Sequence, residues 1–158
     1  MRDFVKEHEE FVEKFGTEEQ CRDYLYALRW SYGFCCPKCG YNEARKQNEI
    51  KYRCKGCRKE TSLYECTIFE NTRKPLTQWF SAIWYITLDP DRTNASELKR
   101  IVKLGSNNTA LEWWKILRPV MFNSEQFELN GRITVEEFLQ NVYAQYSPSA
   151  SLGDSDTI

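Results

Sequence analysis

Hydrophobic side chains near the start of the chain recur at intervals of three and four residues, which is the pattern of amphipathic helices. A first helix is predicted within residues 1–15, with an apolar stripe of Phe4, Val5, Phe11, Val12 and Phe15. A second helix should begin after Thr17, because Thr17 and Gln20 have the spacing of a capping box. Its stripe consists of Cys21, Tyr24, Leu25 and Leu28. We expect this stripe to pack against the segment that follows, whose own apolar content is too small to fold alone.

The same periodicity returns after residue 70. Pro75 suits the first turn of a helix that should stop at Asp89. Trp79 and Phe80 fall on its apolar stripe, so we expect these rings in the core rather than on a stacking surface. Asn94 can cap a second, shorter helix.

A sharp turn at residues 104–105 then leads to a third helix, capped by Ser106 or Asn107 and ended by Pro119. Two short helices joined by a tight glycine turn and preceded by a third helix have the layout of a helix-turn-helix. A last helix is predicted after Thr134, where Thr134 and Glu137 again have capping-box spacing.

The central segment, residues 33–69, has the pattern of short strands rather than helices. It carries two Cys-x-x-Cys motifs, Cys36 to Cys39 and Cys54 to Cys57, with fourteen residues between them. We predict a hairpin over residues 44–53 that turns near Asn48, followed by a strand over residues 61–69. This arrangement of two cysteine knuckles and short strands is typical of a zinc ribbon.

The cysteine pattern predicts a metal site whose ligands are Cys36, Cys39, Cys54 and Cys57. Zinc prefers four such thiolates in a tetrahedron, and a two-residue gap lets one turn direct two sulfurs at one ion. Iron in the same four thiolates and a redox pair are the alternatives; iron would colour the protein red. A disulfide would need an oxidising compartment, and the N-terminal residues show no apolar core of a signal peptide.

Three further cysteines are not expected to bind the metal. Cys35 would stretch the first gap to three residues and move Pro37 and Gly40 out of register. Cys21 and Cys66 are single cysteines among apolar residues, which predicts small buried hydrophobic side chains.

The charge is unevenly distributed along the chain, although the net charge is only −1. Residues 1–20 carry a net −4, residues 21–120 a net +8 and residues 121–158 a net −5. A basic centre between acidic ends suggests a surface for a polyanion. The chain has no apolar run long enough to cross a bilayer, so we expect a cytoplasmic protein without a membrane partner.

Two groups of residues are candidates for contact with double-stranded DNA. Around the knuckles lie Lys38, Lys55, Arg58 and Lys59, which could either face phosphates or offset the charge of −2 on a four-thiolate zinc. If the helix-turn-helix binds a major groove, the start of its third helix would bring five polar residues near the duplex. These are Ser106, Asn107, Asn108, Glu112 and Lys115, of which Glu112 fits less well because its carboxylate repels phosphate.

Several motifs in order resemble one family over about residues 15–120. They are the run Glu18–Leu25, the knuckle Cys36-Pro37-Lys38-Cys39-Gly40, the run Tyr52–Arg58, and the later runs Thr67–Phe69, Pro75–Phe80 and Glu97–Arg100. This string resembles the N-terminal region of bacterial insertion-sequence transposases that carry a zinc ribbon ahead of a DDE-type nuclease domain.

The resemblance implies that the ribbon and helix-turn-helix recognise the DNA at the ends of the element. In the family a separate RNase H-like domain cuts and joins strands with carboxylates and two divalent metals. The nearest equivalent of its first catalytic strand is residues 131–137, where Glu136 takes the first aspartate's place. The following residues read as a helix, so we assign no catalytic residue and expect no enzyme activity from this chain; a nuclease assembled from several chains around Glu136 is the remaining enzymatic alternative.

The sequence therefore predicts an α+β protein, with a small zinc ribbon packed against helices and followed by a helix-turn-helix-like unit of three helices. The expected boundaries are N-terminal helices at 1–32, the ribbon at 33–69, the helical unit at 75–120, a remnant or linker with one helix at 121–146 and a disordered tail at 147–158. The leading hypothesis is a DNA-binding transposase fragment that lacks the catalytic domain, as a homo-oligomer or alone. The alternative is a zinc-stabilised regulatory module that docks protein through its aromatic helices and no longer binds DNA.

Overall fold

A computed structural model of the chain describes residues 3–91 and 93–144. Its architecture is α+β, as predicted, with a three-stranded sheet among helices. The predicted disorder of residues 147–158 lies outside the described residues. In chain order the elements are α1 (Phe4–Phe15), α2 (Glu18–Arg29), β1 (Ala44–Lys46), β2 (Lys51–Cys54), β3 (Glu60–Ser62), α3 (Leu76–Leu88), α4 (Ala95–Val102), α5 (Asn107–Phe122), α6 (Glu125–Asn130) and α7 (Val135–Ala144).

The two N-terminal helices begin where their capping residues predict. The Thr17 hydroxyl accepts from the Gln20 N–H, and the Gln20 side chain accepts from the Thr17 N–H, which is a complete capping box. The predicted stripe of α2 includes Leu25, which is fully buried, and Tyr24, whose ring meets Phe15 of α1 edge to face. The apolar stripe of α2 therefore packs against other helices. The ring contact from α2 to the ribbon is made by Tyr26, which lies outside this stripe and meets Tyr52.

The ribbon sheet is antiparallel, in the order β1-β2-β3. Its hairpin turns at Asn48, whose Oδ1 accepts from the N–H groups of Ile50 and Lys51 at 2.9 Å, so this prediction is confirmed. The third strand is shorter than predicted, because the chain enters a series of turns at residue 63. Within these turns Cys66 is exposed, with φ at 61°, and the expectation of a buried side chain is wrong there. Cys21 is fully buried, as expected.

Helices α3, α4 and α5 pack as three consecutive units, held by stacked tryptophans. The rings of Trp79 in α3 and Trp113 in α5 lie 3.6 Å apart between centroids, at 10° to each other, and both are buried. Ser106, rather than Asn107, caps α5: its hydroxyl accepts from the Thr109 N–H. The turn before it begins with Lys103 in the left-handed conformation at φ 62°.

Pro119 does not end α5, contrary to the prediction. The helix continues to Phe122, although proline removes one backbone donor from the helical ladder. Leu117 and Met121 on either side are fully buried, and the Asn123 N–H donates to the Pro119 carbonyl. Burial of these two side chains compensates for the missing hydrogen bond.

After the end of α5, the described residues up to 144 contain two helices, α6 and α7, where one was predicted. Ser124 opens α6 by accepting from the Phe127 N–H, and Thr134 opens α7 by accepting from the Glu137 N–H. α7 packs on α2, α3 and α5, so it belongs to the core rather than to a linker. None of the helices described here combines the length and the apolar character needed to cross a membrane.

Tyr143 connects α7 to the end of the ribbon. Its hydroxyl donates to the Leu63 carbonyl at 3.0 Å in a buried setting, and that burial raises the pKa of the phenol well above its usual value. The hydroxyl therefore remains a donor throughout the neutral pH range.

We expect Tyr143→Phe to lower the free energy of unfolding by about 1–2 kcal/mol, because it leaves the buried Leu63 carbonyl without its donor. Urea denaturation followed by circular dichroism measures this. Tyr41→Phe is the matched control, since the Tyr41 ring is exposed, and should leave stability unchanged. Equal stabilities for the two variants would contradict the assigned role of this hydrogen bond.

Candidate metal centre

Four cysteine sulfurs converge at one end of the ribbon sheet. Cys36 and Cys39 come from the loop before β1, Cys54 ends β2, and Cys57 follows in the next turn. Their Sγ atoms all lie within 4.8 Å of one another, with Cys36 and Cys57 at 3.6 Å and Cys39 and Cys54 at 3.5 Å. Four sulfurs at about 2.3 Å around a tetrahedral zinc lie about 3.8 Å apart, so this set fits a zinc ion.

Backbone N–H groups point at one sulfur in each knuckle. Cys36 Sγ accepts from the N–H groups of Lys38 and Cys39, at 3.4 and 3.5 Å. Cys54 Sγ accepts from those of Gly56 and Cys57, at 3.3 and 3.5 Å. These donors favour the thiolate form and offset part of the charge of −2 that four thiolates and Zn²⁺ leave. The backbone thus performs part of the neutralisation that the lysines might otherwise supply.

The sulfur pKa values show how protons are shared within the cluster. Burial raises the pKa of Cys54, but the N–H groups of Cys57 and Gly56 and its sulfur neighbours outweigh burial and lower it to about 6. For Cys39 the Tyr41 N–H lowers the pKa, but burial and the neighbouring sulfurs raise it to about 11. Since the metal needs all four thiolates, zinc binding must displace protons, and acid opposes it.

The two knuckles place equivalent residues in the same backbone conformation. Gly40 follows Cys39 with φ at 78°, and Arg58 follows Cys57 with φ at 67°. Glycine accepts this left-handed conformation without strain, whereas an arginine there costs about 1–2 kcal/mol. Gly56 is needed for a different reason: a Cβ at this position would lie 3.1 Å from Tyr41 Cγ.

Aromatic rings attach the metal site to the helices. Trp30, directly after α2, donates from its indole N–H to the Cys35 carbonyl at 3.1 Å. Its ring meets Phe34 at 5.0 Å and Tyr52 of β2 at 5.3 Å, and Tyr26 of α2 meets Tyr52 at 5.5 Å. The buried Trp30 side chain, which lies outside the ribbon, therefore fixes the backbone of Cys35, the residue before the first ligand. Sequence reasoning missed this role of Trp30, although a tryptophan just before a cysteine knuckle was visible.

Cys35 is not part of the cluster. Its Sγ lies 3.8 Å from the Gly40 carbonyl instead of among the four sulfurs. The choice of Cys36 over Cys35 as a ligand therefore agrees with the geometry.

The candidate cations around the knuckles differ in their surroundings. Lys38, Lys55 and Arg58 are exposed, and none of their side chains has a hydrogen-bond or ion-pair partner within residues 3–91 and 93–144. Lys59 is half-buried, and its Nζ lies 3.3 Å from both carboxylate oxygens of Glu65. Three of the four cations are thus available to an external anion.

The candidate residues on α5 form a second group, on a different element. Ser106 is occupied as the N-cap: it accepts from the Thr109 N–H, and its hydroxyl also lies 2.9 Å from the Thr109 hydroxyl. Asn107 and Asn108 are exposed in the first turn, and Lys115 is exposed two turns later. The candidate residues of the metal centre and those of α5 therefore belong to different elements of the fold.

We expect one zinc per chain in a colourless protein, and loss of the ribbon when the metal is removed. Zinc contributes roughly 10–16 kcal/mol of apparent free energy in small zinc modules, and the strands here have only three or four residues each. Exhaustive chelation should abolish the hydrogen-exchange protection of residues 36–62, while α3 to α5 keep theirs. Metal analysis and hydrogen-exchange mass spectrometry provide the two readouts.

Cys54→Ser should reproduce the chelated state, because it removes a fully enclosed ligand. Cys35→Ser is the matched control and should retain one zinc per chain with full protection of the ribbon. An unchanged exchange pattern after chelation would show that the ribbon does not depend on the metal.

Comparison with known proteins places this segment in a family. Residues 16–60 match the family described as "Transposase zinc-ribbon domain", a span that includes α2 as well as the sheet up to Glu60. The chain is also similar to "Uncharacterized protein in transposable element ISH50" of Halobacterium salinarum (strain ATCC 700922 / JCM 11081 / NRC-1), with 24% identity over 132 residues. This alignment covers 80% of the chain and 43% of the relative, so the chain spans less than half of the relative's length. No solved structure matches the chain. The chain is thus similar to proteins of insertion-sequence elements: its residues 16–60 match a transposase zinc-ribbon domain, and within that span Cys36, Cys39, Cys54 and Cys57 are placed so that they could hold one zinc ion.

Proposed function

We propose that this chain is a DNA-binding portion of an insertion-sequence transposase, and that it binds duplex DNA at the ends of the element without cutting it. The zinc ribbon presents cations to the phosphate backbone, and α5 presents polar side chains to the bases. This role requires a compartment that contains DNA and keeps thiolates reduced, which is the cytoplasm.

The backbone conformation of Arg58 is the observation that best supports the proposal. Its backbone adopts a conformation that glycine occupies at the equivalent position of the first knuckle. An arginine at such a position is strained, and backbone strain of this kind is found mainly at functional sites. The Arg58 side chain is exposed and beside the metal centre, which suits a guanidinium that binds phosphate.

Lys38 and Lys55 each lie between the two cysteines of a knuckle, Lys38 at the second inner position and Lys55 at the first. The Lys38 N–H donates to Cys36 Sγ, and the Lys55 N–H donates to the Glu43 carbonyl, so both backbones are fixed while both side chains are exposed. Rigid placement of exposed cations favours phosphate binding, because less conformational entropy is lost on contact.

The helical unit supports a second contact with DNA. α4 ends at Val102 and α5 begins at Asn107, which leaves a four-residue turn of the kind found in helix-turn-helix units. Gln78 of α3 donates to the Val102 carbonyl at 2.8 Å and holds the end of α4 in place. Asn107 and Asn108, exposed at the start of α5, have the donor and acceptor pair that reads adenine in a major groove. Glu112 on the same helix is unfavourable near phosphates and should limit affinity.

The alternative hypothesis is that a partner protein binds to the aromatic side chains of the helices. Trp79, Phe80 and Trp113 are buried in the core, so these rings offer no docking surface. A specific observation still favours a protein partner elsewhere: Val5 and Val12, one heptad apart on α1, are 71% and 47% exposed. If the chain failed to bind DNA but bound protein through α1, this second function would replace the first.

The proposal concerns binding only and assigns strand cleavage to no described residue. Glu136, the candidate for a family carboxylate, lies in the first turn of α7, and its Oε1 is 2.8 Å from Lys14 Nζ. A nicking assay with Mg²⁺ or Mn²⁺ tests the nuclease alternative directly, and we expect no product.

The wild-type chain should bind a labelled duplex with an affinity that falls steeply as salt rises, because bound cations release counterions from the DNA. Fluorescence anisotropy between about 50 and about 200 mM salt gives the slope. Duplexes from the ends of the element should bind more tightly than a duplex of arbitrary sequence, and Asn107→Ala with Asn108→Ala should remove that preference. Absence of salt-sensitive binding at micromolar protein would exclude the proposed function.

Arg58→Gly should separate stability from function. Glycine relieves the left-handed strain, so the zinc-bound protein should be as stable as wild type or up to about 1 kcal/mol more stable in urea. DNA binding should nevertheless weaken, with the salt slope reduced by about 1. Arg58→Lys retains the charge and serves as the control for the slope. If Arg58→Gly binds DNA as the wild type does, the knuckle arginine is not a phosphate ligand.

A further inference from the structure

One face of the ribbon sheet carries charged side chains that lie outside both the knuckles and α5. Residues that lie directly opposite each other on antiparallel strands share a face, and side chains alternate along each strand. Arg45 is opposite Arg53, Arg53 is opposite Glu60, and Lys51 is opposite Ser62. We call the surface formed by Arg45, Lys51, Arg53, Glu60 and Ser62 the outer sheet face.

The opposite face of the sheet is the one that packs on the protein. Tyr52 contacts the rings of Tyr26 and Trp30, Cys54 is enclosed as a ligand, and Thr61 is fully buried. On the outer sheet face, by contrast, Arg45 is exposed, and the side chains of Lys51 and Arg53 are about half exposed. The sheet therefore turns its apolar face inward and its basic face outward.

The arrangement of charge on this face is unfavourable for the isolated protein. Arg45 and Arg53 are directly opposite each other, and like charges in this position destabilise a sheet. The single carboxylate among the ladder residues, Glu60, is shared: it lies 3.4 Å from Arg53 and 3.5 Å from Lys51. Arg45 has no ion-pair or hydrogen-bond partner for its guanidinium in the described part of the chain. An external anion between the two arginines would remove this repulsion.

We propose that the outer sheet face is a further phosphate-binding surface for duplex DNA, which extends the surface of the knuckle cations and lies on a different element from α5. The inference rests on the proposed DNA-binding function and extends it to residues outside the two predicted groups. Arg45 and Arg53 bind one phosphate between them, and Lys51 binds a neighbouring one.

Three features favour a duplex backbone as the occupant. The ladder residues of the face include no aromatic ring, so the face has no platform on which the bases of a single strand could stack. Lys51 and Arg53 are two residues apart on one strand, about 7 Å, which is comparable to the spacing of successive phosphates along DNA. The same strand leads to Lys55, so the surface is continuous with the knuckle cations.

Removal of the two arginines tests the surface. Arg45→Gln and the double variant Arg45→Gln/Arg53→Gln should bind a duplex of arbitrary sequence with progressively smaller salt slopes. The double variant removes one phosphate contact, so its loss of affinity between about 50 and about 200 mM salt should be about threefold smaller than that of the wild type. Lys6→Gln is the matched control, because it removes one exposed charge from α1, which carries none of the proposed contacts. Zinc content and circular dichroism identify any variant that fails to fold.

Glu60→Gln should change the affinity for DNA in the opposite direction. A misfolded variant would not bind more tightly, so this result cannot arise from misfolding. Loss of this carboxylate frees Lys51 and Arg53 from their shared partner, so binding should become about threefold tighter or more, and the salt slope should increase. If the wild type binds DNA with a salt slope, but the arginine variants keep that slope and Glu60→Gln binds no tighter, the outer sheet face is not a DNA surface, while the proposed function stands. If the wild type itself does not bind, both proposals are overturned.

Discussion

Four thiolates on one ion are the constraint on which the ribbon depends. Its strands have three, four and three residues, which is too little for an isolated sheet to persist in water. The metal links the loop before β1 to the end of β2, and the Trp30 indole fixes the Cys35 carbonyl next to the first ligand. The metal closes one end of the ribbon, and rings from α2 hold its inner face. The family match begins at residue 16 and so includes α2, which agrees with a folding unit made of both parts.

The features that local chemistry decides were predictable from the sequence. The four ligands, the capping box at Thr17 and the turn at Asn48 each depend on two or three residues close in the chain, and each is found where it was predicted. The continuation of α5 past Pro119 depends instead on the burial of Met121 in the assembled core. β3 likewise ends earlier than predicted, and the turns that follow it expose Cys66. No sequence motif in this segment indicates those turns. At such places tertiary packing, and not the local secondary-structure propensity, determines the conformation.

The basic face of the sheet was unpredictable for a geometric reason. Arg45 and Arg53 are eight residues apart, and only the register of the hairpin brings them opposite each other. A shift of one residue would have sent one arginine to the inner face, against Tyr26 and Trp30. The turn at Asn48 therefore determines which charged side chains of the sheet are neighbours. For the same reason, the strain at Arg58 became visible only when its backbone could be compared with that of Gly40.

A net charge of −1 by itself disfavours DNA binding, but the fold separates the acidic ends of the chain from the cations of its centre. The acidic N-terminal helix and the acidic start of α7 meet each other, and Lys14 bridges them through Glu136 at 2.8 Å. Glu10 from the N-terminal helix and Glu136 and Glu137 from the start of α7 line one cleft. The cations of the ribbon belong to the metal-bound segment between these ends. Because salt screens charges beyond about 8–10 Å, a polyanion near the ribbon responds to the local cations more than to the total. The distribution of charge, rather than its sum, therefore decides which partner this surface attracts.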